Sequence, residues 1–306
     1  MTTLDATRLL TDLEPTVTEN LNRHLEIAKD WMPHEFVPWS QGRDFTDLGG
    51  QAWSVEQSPL SPIARARGEP AHRGQPAELP PRAFGRDGAW GTWVHRWTAE
   101  EGRHAFCIRD YLLVTRGVDP IELEHARIQT METGFDSGDK PLLHVCAYVS
   151  FQELATRISH RNTGRHTQDP IAEKLLTRVA MDENLHMIFY RNLVTAALEL
   201  APNETMRAIT DEVIGFQMPG SIIPGFTRKA VQIAKAGIYD LRIHHDDVVM
   251  PLIRQWAIFE LEGLAAVGEQ ARTELADTLK ALDAAASRFV EQGAEAAAKK
   301  AARAGA

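Results

Sequence analysis

The sequence predicts an all-α protein, and three observations carry that reading. Apolar residues recur at steps of three and four through most of the 306 residues, the period of a helix with one buried face. The pairs Asp119-Pro120 and Asp169-Pro170 put a capping carboxylate and a donor-less proline where helices begin. No series of runs alternates apolar and polar residues as half-buried strands do, and no internal repeat is present.

The elements follow in order along the chain. Leu9 to Trp31 reads as an opening helix interrupted by Pro15. Residues 32–62 read as irregular wrapping, punctuated by Pro33, Pro38, Gly42, Gly49 and Gly50. A long helix is predicted from about Trp90 to Thr115, and Asp119-Pro120 opens another. The next spans roughly Leu142 to Asn162 and stops before Gly164. Asp169-Pro170 starts a helix reaching about Leu200. Shorter helices follow near 204–217 and 222–236, then two more over about 246–266 and 268–292. Residues 1–292 read as a single helical domain, with a disrupted, proline-rich stretch over 64–83. The tail 293–306 is rich in Ala, Lys and Arg without an apolar stripe, so a frayed helix or a disordered tail is expected.

Composition excludes several classes. At 43% hydrophobic and 25% charged residues the chain reads as soluble and globular. A formal charge of −9 argues against general nucleic-acid binding, which needs basic faces. No apolar stretch approaches the length that crosses a bilayer, and the N-terminus lacks the pattern of a secretory signal. Cys107 and Cys146 are the only cysteines, too few for a disulfide framework or a cysteine metal site. Buried free thiols in a reducing compartment are expected, which makes the protein cytoplasmic.

The strongest chemical signal is a duplicated pair. Glu101 and His104 stand three residues apart, and so do Glu183 and His186. At that spacing the two side chains are neighbours on one helical face. Trp93, Trp97, Glu101, His104, Ile108 and Tyr111 form one helical stripe; Leu176, Val179, Glu183, His186 and Tyr190 form another. Both pairs therefore fall on stripes that would normally face a core. An ionised carboxylate there is costly unless it is paired or binds a cation. A third apolar helix adds Glu153, with Thr156 one turn on. Two Glu-x-x-His pairs with a further carboxylate are the pattern of ferritin-like di-iron or di-manganese four-helix bundles, here with additional flanking helices. His24, His34, His95, His125, His144, His160 and His166 lack the paired pattern and read as surface or satisfied core histidines. Trp90, Trp93 and Trp97 read first as core filler.

At these residues the sequence resembles the soluble acyl-acyl-carrier-protein (acyl-ACP) desaturases, nearest to their actinobacterial branch. The matching segments are R-W-T-A-E-E-G-R-H at 96–104, S-F-Q-E-L-A-T at 150–156 and D-E-N-L-H at 182–186, with N-R-H-L at 22–25 and L-G-G-Q at 48–51. The resemblance implies two ferrous ions per chain. Glu101 and Glu183 would bridge them, His104 and His186 would each hold one, and Glu153 would be the terminal carboxylate beside His186. It implies that Thr156 assists oxygen activation and proton delivery, and that Asp182 and Trp97 support the site or an electron path. It further implies a homodimer, an acyl carrier protein that presents the substrate, and a ferredoxin-type electron donor. Arg157, Arg161 and Arg165 follow a helical step of four and are candidates for docking the acidic carrier.

One expected ligand is missing from the pattern. The family carries a further glutamate before Trp90, in a motif resembling T-E-D-N-L-P-S-Y-H-R-E. This chain has His72-Arg73-Gly74-Gln75-Pro76-Ala77-Glu78-Leu79-Pro80-Pro81-Arg82, and its prolines preclude a regular helix. Codons for this stretch, read one base out of frame, can spell the family motif in full. A frameshift near residue 66, corrected near residue 84, accounts for that coincidence; a natural loop is the alternative. The chain therefore reads as an acyl-ACP desaturase that introduces a cis double bond into a carrier-bound acyl chain, with a catalytically impaired homologue, owing to the missing ligand, as the alternative. A non-catalytic bundle, or another di-iron oxygenase or ferroxidase, is the competing reading.

Overall fold

The computed structural model describes residues 6–65, 87–133, 140–218 and 225–304, and among them there are helices and turns but no strand. We label the helices α1 (Ala6–Ile27), α2 (Gly88–Val114), α3 (Pro120–Thr133), α4 (Leu142–Thr167), α5 (Pro170–Leu200), α6 (Pro202–Ile214) and α7 (Phe226–Lys235). Next comes α8, a run of three pieces: Leu241–Ile243, a π-helical segment His244–Val249, and Met250–Gln255. The last is α9 (Ala266–Ala304). Four short 3-10 turns stand between α1 and α2, in the stretch expected to be irregular.

The most extensive pairing is between α4 and α5, joined by only Gln168 and Asp169. Asp169 caps α5 by accepting from the Ile171 N–H at 2.8 Å, which satisfies one of the amides left free at a helix start. Helix α1 packs on α2 and α5, α2 on α5, and α6 on α4 and α9. Arg116 fastens the irregular wrap: its guanidinium donates to the carbonyls of Asp44 at 2.6 Å and Gln51 at 3.0 Å.

Two apolar clusters sit end to end along the bundle. One holds Trp93, Trp97, Phe151, Met187, Phe189 and Tyr190. The other holds Cys107, Ile108, Tyr111, Leu175 and Val179. On α2, Glu101 and His104 lie between Trp97 of the first cluster and Cys107 of the second. On α5, Glu183 and His186 lie between Val179 of the second and Met187 of the first. The Glu-x-x-His pairs thus form a polar belt between two dry layers, where water screens charge poorly.

Some boundaries differ from expectation. Helix α1 runs through Pro15 without a break and stops at Ile27, short of Trp31. Leu13 and Val17, both fully buried, hold its turns on either side of the proline. Gly164 does not end its helix. A Cβ there would lie 3.2 Å from the Glu173 Cα, so the glycine serves the close approach of α5. Helix α9 continues to Ala304, through a tail expected to be frayed or disordered. Alanine is the strongest helix former. The proline-rich stretch lies, from residue 66 to 86, outside the described residues. Cys107 and Cys146 are buried and free. Among the described residues, no helix is long and apolar enough to cross a membrane.

Candidate metal centre

Three helices deliver five buried side chains to one point. Glu101 and His104 come from α2, Glu153 from α4, and Glu183 and His186 from α5. One ligand atom from each of Glu101, Glu153, Glu183 and His186 lies within 4.8 Å of the others. Glu101 Oε1 stands 3.1 Å from His186 Nδ1 and 3.7 Å from His104 Nδ1. Glu183 reaches His104 Nδ1 with Oε1 and His186 Nδ1 with Oε2, each at 3.7 Å. Both carboxylates therefore lie between the two imidazoles. Glu153 Oε2 is 3.6 Å from His186 Nδ1, which places it on that side.

The donor atoms show what the belt is shaped for. Glu101 Oε1, Glu153 Oε2, Glu183 Oε2, His104 Nδ1 and His186 Nδ1 are all buried without a hydrogen-bond partner. Each such group would cost about 1–3 kcal/mol if left unmet. All five belong to the same cluster. A carboxylate-rich set with two imidazoles suits divalent iron or manganese, so these residues fit a pair of such ions.

An outer layer fixes both histidines. His104 Nε2 lies 3.2 Å from Asp182 Oδ2, and His186 Nε2 lies 2.8 Å from Glu100 Oε2. Each of these carboxylates precedes the glutamate on its own helix and holds the histidine of the other helix. Such a partner selects the tautomer that turns Nδ1 inward as a ligand. Asp182 also accepts from the Trp31 indole at 2.7 Å and from Arg178 and Arg103. Glu100 accepts from Arg96 at 2.6 Å and faces His24 Nε2 at 3.0 Å.

The charges packed into this belt shift one another's proton affinities. Burial opposes a charged imidazole, yet Glu101, Asp182 and Glu183 push His104 up to about 9. His186 is raised well above its ordinary value, against burial, by Glu100, Glu101, Glu153 and Glu183. Burial and the neighbouring charges of Glu101 and Glu153 raise Glu183 to about 7. Glu101 is lowered to about 2, because His104 and His186 outweigh its burial.

The remaining predicted residues lie around this cluster. The Trp97 indole donates to Glu153 Oε1 at 3.1 Å, so Trp97 supports a candidate ligand as well as filling the core. Asp182 holds His104. Thr156 Oγ1 donates back to the carbonyls of Gln152 and Glu153 at 3.1 and 3.0 Å, one turn beyond Glu153. Sequence reasoning missed Glu100, Trp31, His24 and His160, the last with Nε2 3.5 Å from Glu183 Oε1. A signal was present for Glu100. The duplicated unit is acid-Glu-x-x-His, Glu100-Glu101 matching Asp182-Glu183. Trp31 and His24 lie outside any such repeat.

Arg157, Arg161 and Arg165 lie apart from the cluster. With Lys29 and Arg178 they line an external cavity of about 760 Å³, floored in part by Ile27, Ile158 and Met181.

The helical bundle, with its belt of paired carboxylates and imidazoles, defines a ferritin-like protein. The chain belongs to the fatty acid desaturase family, whose profile matches residues 81–304. It is 47% identical to a Mycobacterium tuberculosis protein named as the acyl-ACP desaturase DesA1, over 92% of this chain and 87% of that one. It is 27% identical to the chloroplastic stearoyl-ACP 9-desaturase 5 of Oryza sativa subsp. japonica, over 92% of this chain and 78% of that one. The X-ray structure named as the acyl-ACP desaturase DesA2 of M. tuberculosis H37Rv superposes with a TM-score of 0.69 at 30% identity, covering 86% of this chain and 99% of that one.

Proposed function

We propose that this chain is an acyl-ACP desaturase that introduces a cis double bond into a carrier-bound fatty acyl chain, with dioxygen and a ferredoxin-type electron donor. The observation that carries the reading is the convergence of five buried, unpartnered donor atoms between two apolar layers. Glu101 and Glu183 would be shared between two ferrous ions; His104 would hold one, His186 and Glu153 the other. When bound, the iron pair supplies the oxidising power toward an unactivated methylene that no side chain has. The chain's own residues do the rest. Asp182 and Glu100 orient the imidazoles, Trp97 orients Glu153, and the apolar layers exclude water. Thr156, one turn from Glu153, is assigned to proton delivery. Anaerobic loading with ferrous iron, followed by an assay of acyl-ACP with reduced ferredoxin and oxygen, tests the reading. A chain that holds iron yet never yields an unsaturated product would refute it.

A second reading has its own observation. The family's motif with its additional glutamate is absent from residues 72–82; Glu69 and Glu78 are nearby, but neither sits in that motif, and the profile match begins only at residue 81. The His104 side would then lack a terminal carboxylate, and the chain would be an impaired desaturase. The coding DNA between residues 60 and 90 decides whether a frameshift is the cause.

The basic groove bears on the partners. Arg157, Arg161 and Arg165 line the groove together with Lys29, and Asp247 is its acidic lining residue; burial, and then Arg161, lower the Arg157 guanidinium. Arg178 lines the groove and also pairs with Asp182, the partner of His104. That connection favours an acidic electron donor here over the acyl carrier protein expected from the arginine spacing. Charge reversal of Arg157, Arg161 and Arg165 should raise the KM for reduced ferredoxin and leave that for acyl-ACP unchanged; the opposite result reassigns the groove. For the homodimer, Phe106, Ile121 and Met131 leave apolar surface exposed, and sedimentation showing only monomer would count against it.

A further inference from the structure

The end of α1 and the residues just after it reach both halves of the candidate centre. His24, in its last turns, faces Glu100 Oε2 at 3.0 Å. Asp30 accepts from Arg96 at 3.1 Å, and Arg96 itself donates to Glu100. Trp31 donates to Asp182, while its carbonyl accepts from Arg103 at 3.1 Å. The arrangement is nearly symmetrical. The Trp31 ring stacks 6.2 Å from His104, and the His24 ring stacks 5.9 Å from His186. Each histidine is backed by one ring from this segment, and that ring also contacts the carboxylate that orients the histidine.

His24, Glu100 and His186 are close enough to hold a cation among themselves. The hydrogen bonds decide against a cation there. Both Glu100 oxygens and His186 Nε2 already have partners at bonding distance. Arg96 and Arg103 add positive charge beside Glu100. The unpartnered atom of His186 is Nδ1, which faces the glutamates. The triad is therefore a support for the centre.

We propose that His24 is a positioning residue for the metal centre: through Glu100 it holds the His186 imidazole with Nδ1 turned toward Glu101, Glu153 and Glu183. The proposal rests on the metal-binding reading given above. With Nε2–H donated to Glu100, His24 fixes that carboxylate between two imidazoles. Glu100 then accepts the His186 Nε2–H and leaves Nδ1 as the free lone pair. His24 is 3% exposed and meets Trp93 edge-on at 5.1 Å, so it has little freedom to turn away. Docking of α1 and readiness of the His186 side are thus one event.

The test titrates the intact metal-free chain with cobalt(II) alone, read by its visible absorption. A glutamine places an amide nitrogen near the position of His24 Nε2; an asparagine falls short of it. His24→Leu should weaken one class of cobalt site by about tenfold, near the lower end of the cost of losing an outer partner of a metal ligand. His24→Gln should restore binding, and His24→Asn should not. Equal binding by His24→Leu and the parent chain would overturn the proposal, and so would equal binding by the Gln and Asn variants. The Gln and Asn pair carries the test if the leucine variant fails to fold. A parent chain that takes up no cobalt would instead overturn the metal reading itself.

Discussion

The two halves of the candidate centre are built alike and finished differently. On the His104 side, Asp182 orients the imidazole, and its partner Arg178 lines the basic groove. On the His186 side, Glu100 does the same work, and its partner His24 is buried against Trp93. Glu153, held by Trp97, stands at the His186 side. No corresponding terminal glutamate stands beside His104 among the described residues. The difference teaches that a duplicated acid-Glu-x-x-His plan is completed unequally, through residues that come from elsewhere in the chain. Arginines lead outward from both halves, Arg178 from Asp182 and Arg96 from Glu100, and the His186 side alone has Glu153 beside it.

The largest effects should come from the side chains that both halves share. Glu101→Ala or Glu183→Ala should abolish iron binding at both positions, measured as iron per chain after anaerobic loading. Glu153→Ala should cost only the His186 side, leaving the weaker class of sites. If Glu153→Ala and Glu183→Ala lose metal equally, the two halves are not distinct.

That comparison also marks how much was legible in the sequence. The five central residues announced themselves because acid and imidazole on an apolar stripe contradict the stripe. Asp169-Pro170 announced the start of α5 for an equally local reason. Trp31 and His24 gave no such sign, because they reach the site across sequence separations of 151 residues to Asp182 and 76 to Glu100. Gly164 misled, since the same residue that ends helices also permits close packing. Pro15 misled because tertiary burial of its neighbours outweighed its local cost.

A second effect concerns pH. Without metal, His104 is raised from 6.5 to about 9 and Glu183 from 4.5 to about 7. Both groups bind a proton more tightly in the folded chain. Their contribution to stability is present at low pH; that of Glu183 is lost as pH rises through about 7, and that of His104 through about 9. The metal-free chain should therefore lose thermal stability between about pH 5 and 9, while a cation that replaces the protons should flatten the profile. Parallel melting curves with chelator and with manganese(II) check this, and identical slopes would contradict it.

A third effect concerns the missing carboxylate. Restoring the shifted reading of residues 66–84 should bring the His104 side to parity and raise desaturation, assayed beside the chain as written. Normal turnover without the repair would show that the second carboxylate is dispensable. A further variant is Trp97→Phe, which removes one hydrogen bond from the buried Glu153 and should cost about 1–3 kcal/mol of stability by denaturant unfolding. The iron at the His186 side should weaken with it. Gly164→Ala is a contrast outside the centre: its Cβ would crowd Glu173 and cost about 1–3 kcal/mol of stability with iron binding unchanged.

The most direct test of the whole account is anomalous scattering at the iron edge from crystals loaded anaerobically with ferrous iron. The account predicts density for two ions between Glu101 and Glu183, stronger beside His186 and Glu153 than beside His104. Scattering centred between His24 and Glu100, or none within the buried belt, would contradict it.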